Sequence, residues 1–434
     1  MKKRNLRDNG GGILRPAKAG LGMTNLFLLL AVLFSIEGCS RFQWINLKEI
    51  FIPKATPPWA TLHGGPLHWG YMPGEISTPL KLHWVTALSE QNGSILRPQR
   101  FTLENSRPTA YNGAIFVGSP TSGLVAIDWS KGKELWRVED GTGVESTPAI
   151  AQDQVLFGAQ NGTFYSVDSK TGDENWRLDS GVEILSSPTI AEGKVFFSNA
   201  RESLYALDLT TGEWLWQVDR EVFDKVTIRG TASPAVDAGK VYHSFFDGSV
   251  LCLEAQTGNI LWETKLPSEG QFTDVDGALL LIPSLHQLVA ASFDGHLSGL
   301  SLDSGEILWK LESGGSSTAA YDGEWLYWTD REGTLMAIDP SSNGQMVWEK
   351  NLHVEFLSAP VVNDSQVLVA SDDPEKIFLL DKKTGDILEE SWITSGFHQT
   401  PTLVDGNILI VSEKGGLYRF RPRYSRATYT TTWE

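Results

Sequence analysis

The chain has 434 residues, with 36 Lys and Arg against 53 Asp and Glu, for a net charge of −17. That acidic balance repels nucleic acid and anionic lipid headgroups, so neither nucleic-acid binding nor electrostatic attachment to a membrane is expected. The 42 Gly and 16 Trp, with few long apolar runs, suit many short strands joined by tight turns. A chain this long ordinarily divides into several domains unless it repeats radially, each repeat supplying its own slice of core.

The chain opens with a basic region, Lys2, Lys3, Arg4, Arg7, Arg15 and Lys18, followed by an apolar core from Leu26 to Phe34. That core has signal-peptide length and is too short to span a bilayer. It runs into Ser35-Ile36-Glu37-Gly38-Cys39-Ser40. A small residue followed by Cys at this place resembles the bacterial lipobox, whose Cys becomes the acylated N-terminus. Residues 1–38 are therefore expected to be a lipoprotein signal peptide and Cys39 the lipidation site, the alternative being an ordinary signal peptide with an incidental Cys. Ser40, where an Asp would retain a lipoprotein in the inner membrane, points to the outer membrane. Residues 39–78 hold no repeat and are assigned to a lipidated tether and lead-in segment. The second cysteine, Cys252, falls where other repeats carry Ala126, Ser166, Ala206 and Ala337, which marks a small packed slot. The eight His are scattered without metal-ligand spacing, so no metal site is expected.

From residue 107 a fixed period takes over. Six segments align on a Gly with Trp four residues later: Gly132 and Trp136, Gly172 and Trp176, Gly212 and Trp216, Gly258 and Trp262, Gly305 and Trp309, Gly344 and Trp348. Before each Gly lies an apolar strand ending in an acid, as in Leu124 to Asp128, Phe164 to Asp168 and Leu204 to Asp208. A seventh copy, Ile377 to Asp381 with Thr384-Gly385, keeps the turn but has Glu389 in the Trp position. Pro148, Pro188, Pro234, Pro360 and Pro401 each open a unit, at a strand start where the missing N–H is tolerated. Alternating runs and the dipeptides Asn161-Gly162, Asp247-Gly248 and Asp294-Gly295 predict four strands per unit, with two-residue turns in which both residues take positive φ.

Seven full units run from Arg107 to Trp392, and a last copy from Ser395 to Arg421 lacks its outer strand. Upstream of the first unit lies an orphan, Leu80 to Val85, with the character of a Trp-bearing outer strand. Pairing the two predicts an all-β, eight-bladed β-propeller of four-stranded antiparallel blades over residues 79–421, closed by an N-terminal strand completing the last blade. Residues 422–434 are left as a C-terminal tail. One Trp per repeat at one fixed place is what packing between blades requires; a row of aromatics stacking on a cofactor or sugar is the alternative.

The pattern Ala-x-Asp-x-x-Thr-Gly-x-x-x-Trp is similar to the tryptophan-docking repeat of pyrroloquinoline-quinone (PQQ) propellers, and Trp59 to Gly74 is similar to their N-terminal edge. The quinoprotein dehydrogenases of that superfamily carry adjacent cysteines, a Ca²⁺ ligand set and a catalytic Asp. This chain has no Cys-Cys pair and no placeable calcium ligands, so no cofactor and no enzymatic activity are expected.

A narrower resemblance is to the BamB family, propeller lipoproteins of the outer-membrane β-barrel assembly machinery. It rests on Val226-Thr227-Ile228-Arg229-Gly230, on Phe272-Thr273-Asp274-Val275-Asp276 and on Ser395 to Pro401. The resemblance implies a non-enzymatic scaffold, lipid-anchored on the periplasmic face of the outer membrane. Its partner would be the periplasmic part of a BamA-type central subunit, together with nascent outer-membrane proteins. Contact residues carry over to Val226, Ile228 and Arg229 in one loop and to Asp274 and Asp276 in the next, with Val226 and Ile228 standing where the family has leucines. Arg229 could also simply pair with Asp274 or Asp276 across the rim, a solvated ion pair worth about 0–1 kcal/mol. A PQQ-dependent oxidoreductase and a generic envelope-binding propeller are the alternatives in function.

Overall fold

A computed structural model describes residues 61–88, 106–138, 141–220, 232–267, 278–292, 296–312, 318–393 and 399–423. The first strands in chain order are β1 (Leu80–Ala87), β2 (Thr109–Tyr111), β3 (Ala114–Ser119), β4 (Gly123–Asp128) and β5 (Glu134–Val138). Strands β2 to β5 pair in sequence as one antiparallel blade, and β3 and all of β4 but Asp128 are buried because neighbouring blades cover both faces. The same unit recurs over 149–179, 189–218, 235–265, 280–312, 320–351 and 361–392, the last with an extra strand, Glu355–Leu357, on its second strand. The eighth blade is made of Thr402–Val404, Asn407–Val411, Gly416–Pro422 and β1. Both the fold class and the closing strand are as the repeats imply.

The acid that ends each third strand holds the turn that follows. Asp128 Oδ1 accepts from Ser130 Oγ and Lys131 N, both at 2.7 Å. Asp168, Asp208 and Asp381 accept from the two amides that follow in the same way. In the fifth blade Ser301 stands in this place and takes the amides of Asp303 and Ser304 at 3.3 Å, so the slot requires an acceptor, not an acid. The hairpin turns differ from expectation. The strands around Asn161 stop at Gly158 and restart at Thr163, and of Asn161 and Gly162 only Gly162 has positive φ, +87°. Asn161 Oδ1 takes Thr163 N at 2.9 Å instead, which stabilises a longer loop. Asp247 likewise keeps ordinary φ beside Gly248, and Asp294 and Gly295 lie outside the described residues.

A bulge aims each Trp. Ala126 faces Trp136 and Ile127 faces Glu134, so Leu135 is skipped and left 52% exposed. The same skip occurs before Trp176, Trp216, Trp262, Trp309 and Trp348 and before Glu389. The residue opposite each of these Trp is small: Ala126, Ser166, Ala206, Cys252, Gly299 and Ala337. A Cβ at Gly299 would stand 2.1 Å from Trp309. Cys252 therefore occupies a packing slot, and burial pushes its thiol up to about 11, far from reactivity at neutral pH.

Each Trp then docks beneath the turn glycine of the next blade. Trp136 lies against Gly172, Trp176 against Gly212, Trp216 against Gly258, Trp262 against Gly305, Trp309 against Gly344 and Trp348 against Gly385. Trp84, on β1, lies against Gly132 and so locks the eighth blade to the first. Its Nε1 donates to Trp129 O at 3.2 Å, and the Arg419 guanidinium stacks 3.9 Å over the Trp129 ring. The seventh blade has no Trp at that position, its outer-strand Trp392 being exposed. There Leu379 fills the slot opposite Glu389, whose Oε1 accepts from Leu80 N at 2.8 Å where the closing strand begins.

Residues 61–76 lie across the inner strands on the axis. The carbonyls of Pro66, Leu67, Trp69 and Gly70 accept from Val236, Leu281, Tyr321 and Val362, one residue in each of four successive blades. Gln366 then clamps Ile76 from both sides, Oε1 accepting its amide at 2.8 Å and Nε2 donating to its carbonyl at 2.9 Å. Leu62, His63, His68, Met72 and Ile76 are buried, so this stretch of the lead-in segment is a plug in the axial channel.

The docking geometry is checked by two glycines with the same φ of +65°. A Cβ at Gly132 would stand 2.6 Å from Trp84, whereas one at Gly141 meets nothing within 4 Å. Gly141→Ala should cost about 1–2 kcal/mol, the left-handed strain alone. Gly132→Ala should cost about 3–5 kcal/mol once overpacking is added. Urea denaturation of the two variants reads the difference, and equal losses would mean that Trp84 does not dock as described.

Candidate functional site

The sequence-derived contact residues lie outside the described residues: Val226, Ile228 and Arg229 within 221–231, Asp274 and Asp276 within 268–277, and Cys39 before residue 61. What is described is the frame on either side of the two segments. The first leaves the outer strand Trp214–Val218 and returns at Ala235–Asp237; the second leaves Ile260–Lys265 and returns at Leu280–Ile282. Both therefore join the outer strand of one blade to the inner strand of the next, at the seams between blades three, four and five.

At the seam between blades three and four, charge adds to the docked Trp216. Arg220 Nη2 donates to Asp247 Oδ2 at 3.0 Å and Glu263 Oε1 at 2.9 Å, and the guanidinium lies 5.0 Å over the Phe245 ring. Burial works against that charge, and Glu263 and Asp247 more than offset it, so Arg220 stays firmly protonated. Glu202 reaches across the same seam to accept from Phe246 N at 2.5 Å. On the far side Leu266 N donates to Gly248 O at 2.8 Å, and Ala278 N donates to Thr318 Oγ1 at 3.0 Å. Arg220, ahead of the first segment, and Ala278, behind the second, are thus fixed to neighbouring blades, while Leu266 is held within its own blade. Arg220 escaped the sequence reading because it falls outside the repeat; its position just past an outer strand and before a non-repeating insertion was the available signal.

His243 lies beneath this seam, on the strand Lys240–Ser244. It lines, with Ser198, Asn199, Glu202 and Ala232, a void of about 10 Å³, the size a single water fills. Burial pulls its imidazole down to about 3 from 6.5. Among the described residues no three His, Cys, Asp or Glu side chains converge as a metal would need. A cleft of about 190 Å³ beside the plug, lined by Met72, Ile76, Leu403 and Asp405, is smaller than ordinary ligand pockets of about 300–1,000 Å³. The residues present do not fit a quinone and calcium site of the dehydrogenase kind, because the plug occupies the axis and the two cysteines are 213 positions apart, at 39 and 252.

Bulge, small slot, docked Trp and turn glycine together define the chain as an eight-bladed propeller of PQQ-like repeats. A family model described as outer membrane protein assembly factor BamB matches residues 81–183, 143–298 and 293–423. The chain belongs to the BamB family. It is 27% identical over 150 residues to the outer membrane protein assembly factor BamB of Salmonella typhimurium, a stretch covering 34% of this chain and 37% of that protein. By sequence, then, the chain spans little more than a third of the length of the curated relatives it matches. The fold is similar to that of BamB from Moraxella catarrhalis, with a TM-score of 0.65 and 19% identity over 80% of this chain and 99% of that one. It is also similar to that of a quinohemoprotein alcohol dehydrogenase from Comamonas testosteroni, with a TM-score of 0.70 and 14% identity over 88% and 84% of the two chains. At these identities the structural likenesses establish the propeller alone.

The folded chain holds His243 neutral, so its stability is full above about pH 6.5 and declines as pH falls toward 3. One proton taken up on unfolding corresponds to about 1.4 kcal/mol per pH unit. Between pH 6.5 and 4, urea denaturation should show a shallower loss of stability for His243→Leu than for the parent, by up to that amount. Parallel curves would mean that protonation of His243 is not coupled to folding.

Proposed function

We propose that this chain is a non-enzymatic scaffold lipoprotein of the outer-membrane β-barrel assembly machinery. In this reading it is anchored through lipid on Cys39, faces the periplasm and binds the periplasmic part of the BamA-type central subunit, aiding insertion of outer-membrane proteins. The observation that carries it is family membership over residues 81–423. The contact falls to Val226, Ile228, Arg229, Asp274 and Asp276, in two segments, the first preceded by Arg220, tied to blade four through Asp247, and the second followed by Ala278, tied to blade six through Thr318. The apolar pair supplies desolvation, and the Arg229 fork suits a bidentate bond to a partner carboxylate. A quinoprotein-like oxidoreductase is the second reading, supported by the fold likeness to the alcohol dehydrogenase. It is disfavoured by the plugged axis.

Losing one member of a buried interfacial charge pair costs about 2–5 kcal/mol. Arg229→Glu should therefore abolish co-purification with the central subunit from detergent-solubilised outer membrane while leaving the melting temperature of the propeller unchanged. Asp276→Ala should weaken binding less if it orients Arg229, and a double-mutant cycle separates orientation from direct contact. Undiminished co-purification of Arg229→Glu would place the interface elsewhere. For the anchor, Cys39→Ser should yield a folded protein recovered in the soluble periplasmic fraction. A variant that still sediments with membranes would remove lipid from the account.

A further inference from the structure

The eighth blade departs from the repeat where the first and last strands of the ring meet. Lys81 on β1 lies directly opposite Arg421 on the strand Gly416–Pro422. Cations facing each other across an antiparallel pair repel, so this pairing costs stability as it stands. Lys81 is exposed and Arg421 half-buried, and neither joins an ion pair among the described residues. In blades two, three and seven the matching positions are acids: Asp168 with Asp173, Asp208 with Glu213, and Asp381 with Asp386. Arg419, two residues before Arg421, stands opposite Trp84, where the other Trp-bearing blades carry a small residue. It is buried, and its hydrogen bonds go to neutral acceptors, Trp129 O and Asn407 Oδ1. His83 is the residue skipped in the bulge, the place of Leu135 in blade one, and its Nδ1 is enclosed without a partner. Burial, and after it Arg421, Arg419 and Lys81, hold its imidazole below the ordinary value.

The net charge of the chain does not govern this place. At physiological salt, fields fade over about 8 Å, so a ligand here meets the local cations before the acidic whole. The acids at the matching positions of other blades set its size instead. They repel an extended anionic surface laid on this face and leave room for one compact group. We propose that the closing seam of the ring is an anion site, in which Lys81 and Arg421 bind a single phosphate group. The planar fork of Arg421 suits two of its oxygens, and Lys81 adds a point charge from across the strand pair. Arg419 supplies fixed positive charge behind them. Bound there, the group relieves the repulsion and ties the first strand of the ring to the last. Strand direction keeps the site clear of the proposed protein contact. Outer strands begin and third strands end on one face, whereas residues 221–231 and 268–277 follow the far ends of outer strands, on the other.

The test uses the full chain, as Cys39→Ser, at fixed pH and ionic strength with inorganic phosphate replacing chloride. A specific site stabilises as the logarithm of ligand concentration above its Kd, whereas exclusion of a kosmotropic salt from the surface acts linearly and without saturation. The melting temperature of the parent should follow the first form, with one phosphate bound by calorimetry. Lys81→Glu sets an opposite charge before Arg421, so in chloride it should melt no lower than the parent. It should nevertheless require at least about tenfold more phosphate for the same response, and Arg421→Gln likewise. Phosphatidylcholine vesicles carrying a minor share of phosphatidic acid separate the two sources of the group. Sedimentation that Lys81→Glu abolishes assigns the site to a lipid headgroup; a saturable response to free phosphate without sedimentation assigns it to soluble phosphate. A linear rise, the same in parent and variants, with no sedimentation that depends on Lys81, would overturn the site. So would a Lys81→Glu protein that melts lower in chloride yet keeps the parent's phosphate response.

Discussion

The ring depends on one contact, an indole under a glycine. A turn glycine at positive φ leaves an open face, and the Trp of the preceding blade fills it, so each blade is gripped by the one before. Three other features serve that contact: the skipped residue that aims the Trp, the small residue opposite it, and the acceptor that fixes the turn. Apolar residues left outside, such as Leu135, Leu215 and Leu261, are a by-product of the skip and need no binding role to explain them.

The exception clarifies the rule. Where Glu389 replaces Trp, the opposite slot enlarges to Leu379, and the seam is carried instead by a carboxylate on the first amide of β1 and by the Gln366 clamp on Ile76. That seam keeps an apolar core, with Leu368, Ile377 and Leu379 clustered with Leu403, Ile408 and Ile410, and adds polar ties between parts of the chain far apart in sequence, while each of the other seven has an indole on a glycine. The plug and the closing strand meet at the same boundary, so the least repetitive part of the molecule substitutes for the missing repeat contact.

Period explains how much of this could be read in the sequence. Trp, Gly and acid recur at fixed spacing because every seam faces the same problem, and the orphan strand around Trp84 stood out as a repeat fragment without a repeat. The plug is invisible by the same logic. Its backbone carbonyls make the bonds to the blades, so side-chain pattern does not record them, and His63 and His68 are buried where polarity predicts exposure. Ser301 shows the opposite error, a slot read as acidic that asks only for an acceptor. Of the contact residues, Arg229, Asp274 and Asp276 rest on likeness to the family, while Arg220, which braces their seam, has no motif to announce it.

The order of synthesis gives the closing strand a further meaning. Leu80 pairs with Pro422 and Ala87 with Gly416, so the first blade strand made finds its partner only when the last is made. Ring closure carries the largest loop in the molecule and has to wait for the ends, while each interior blade can form from contiguous chain as it emerges. A chain of this topology stays unsealed through elongation and through any passage in extended form, and it becomes a closed ring in a single late step. Whatever holds the nascent chain before that step must protect one exposed sheet edge and one unpaired strand rather than eight disordered blades.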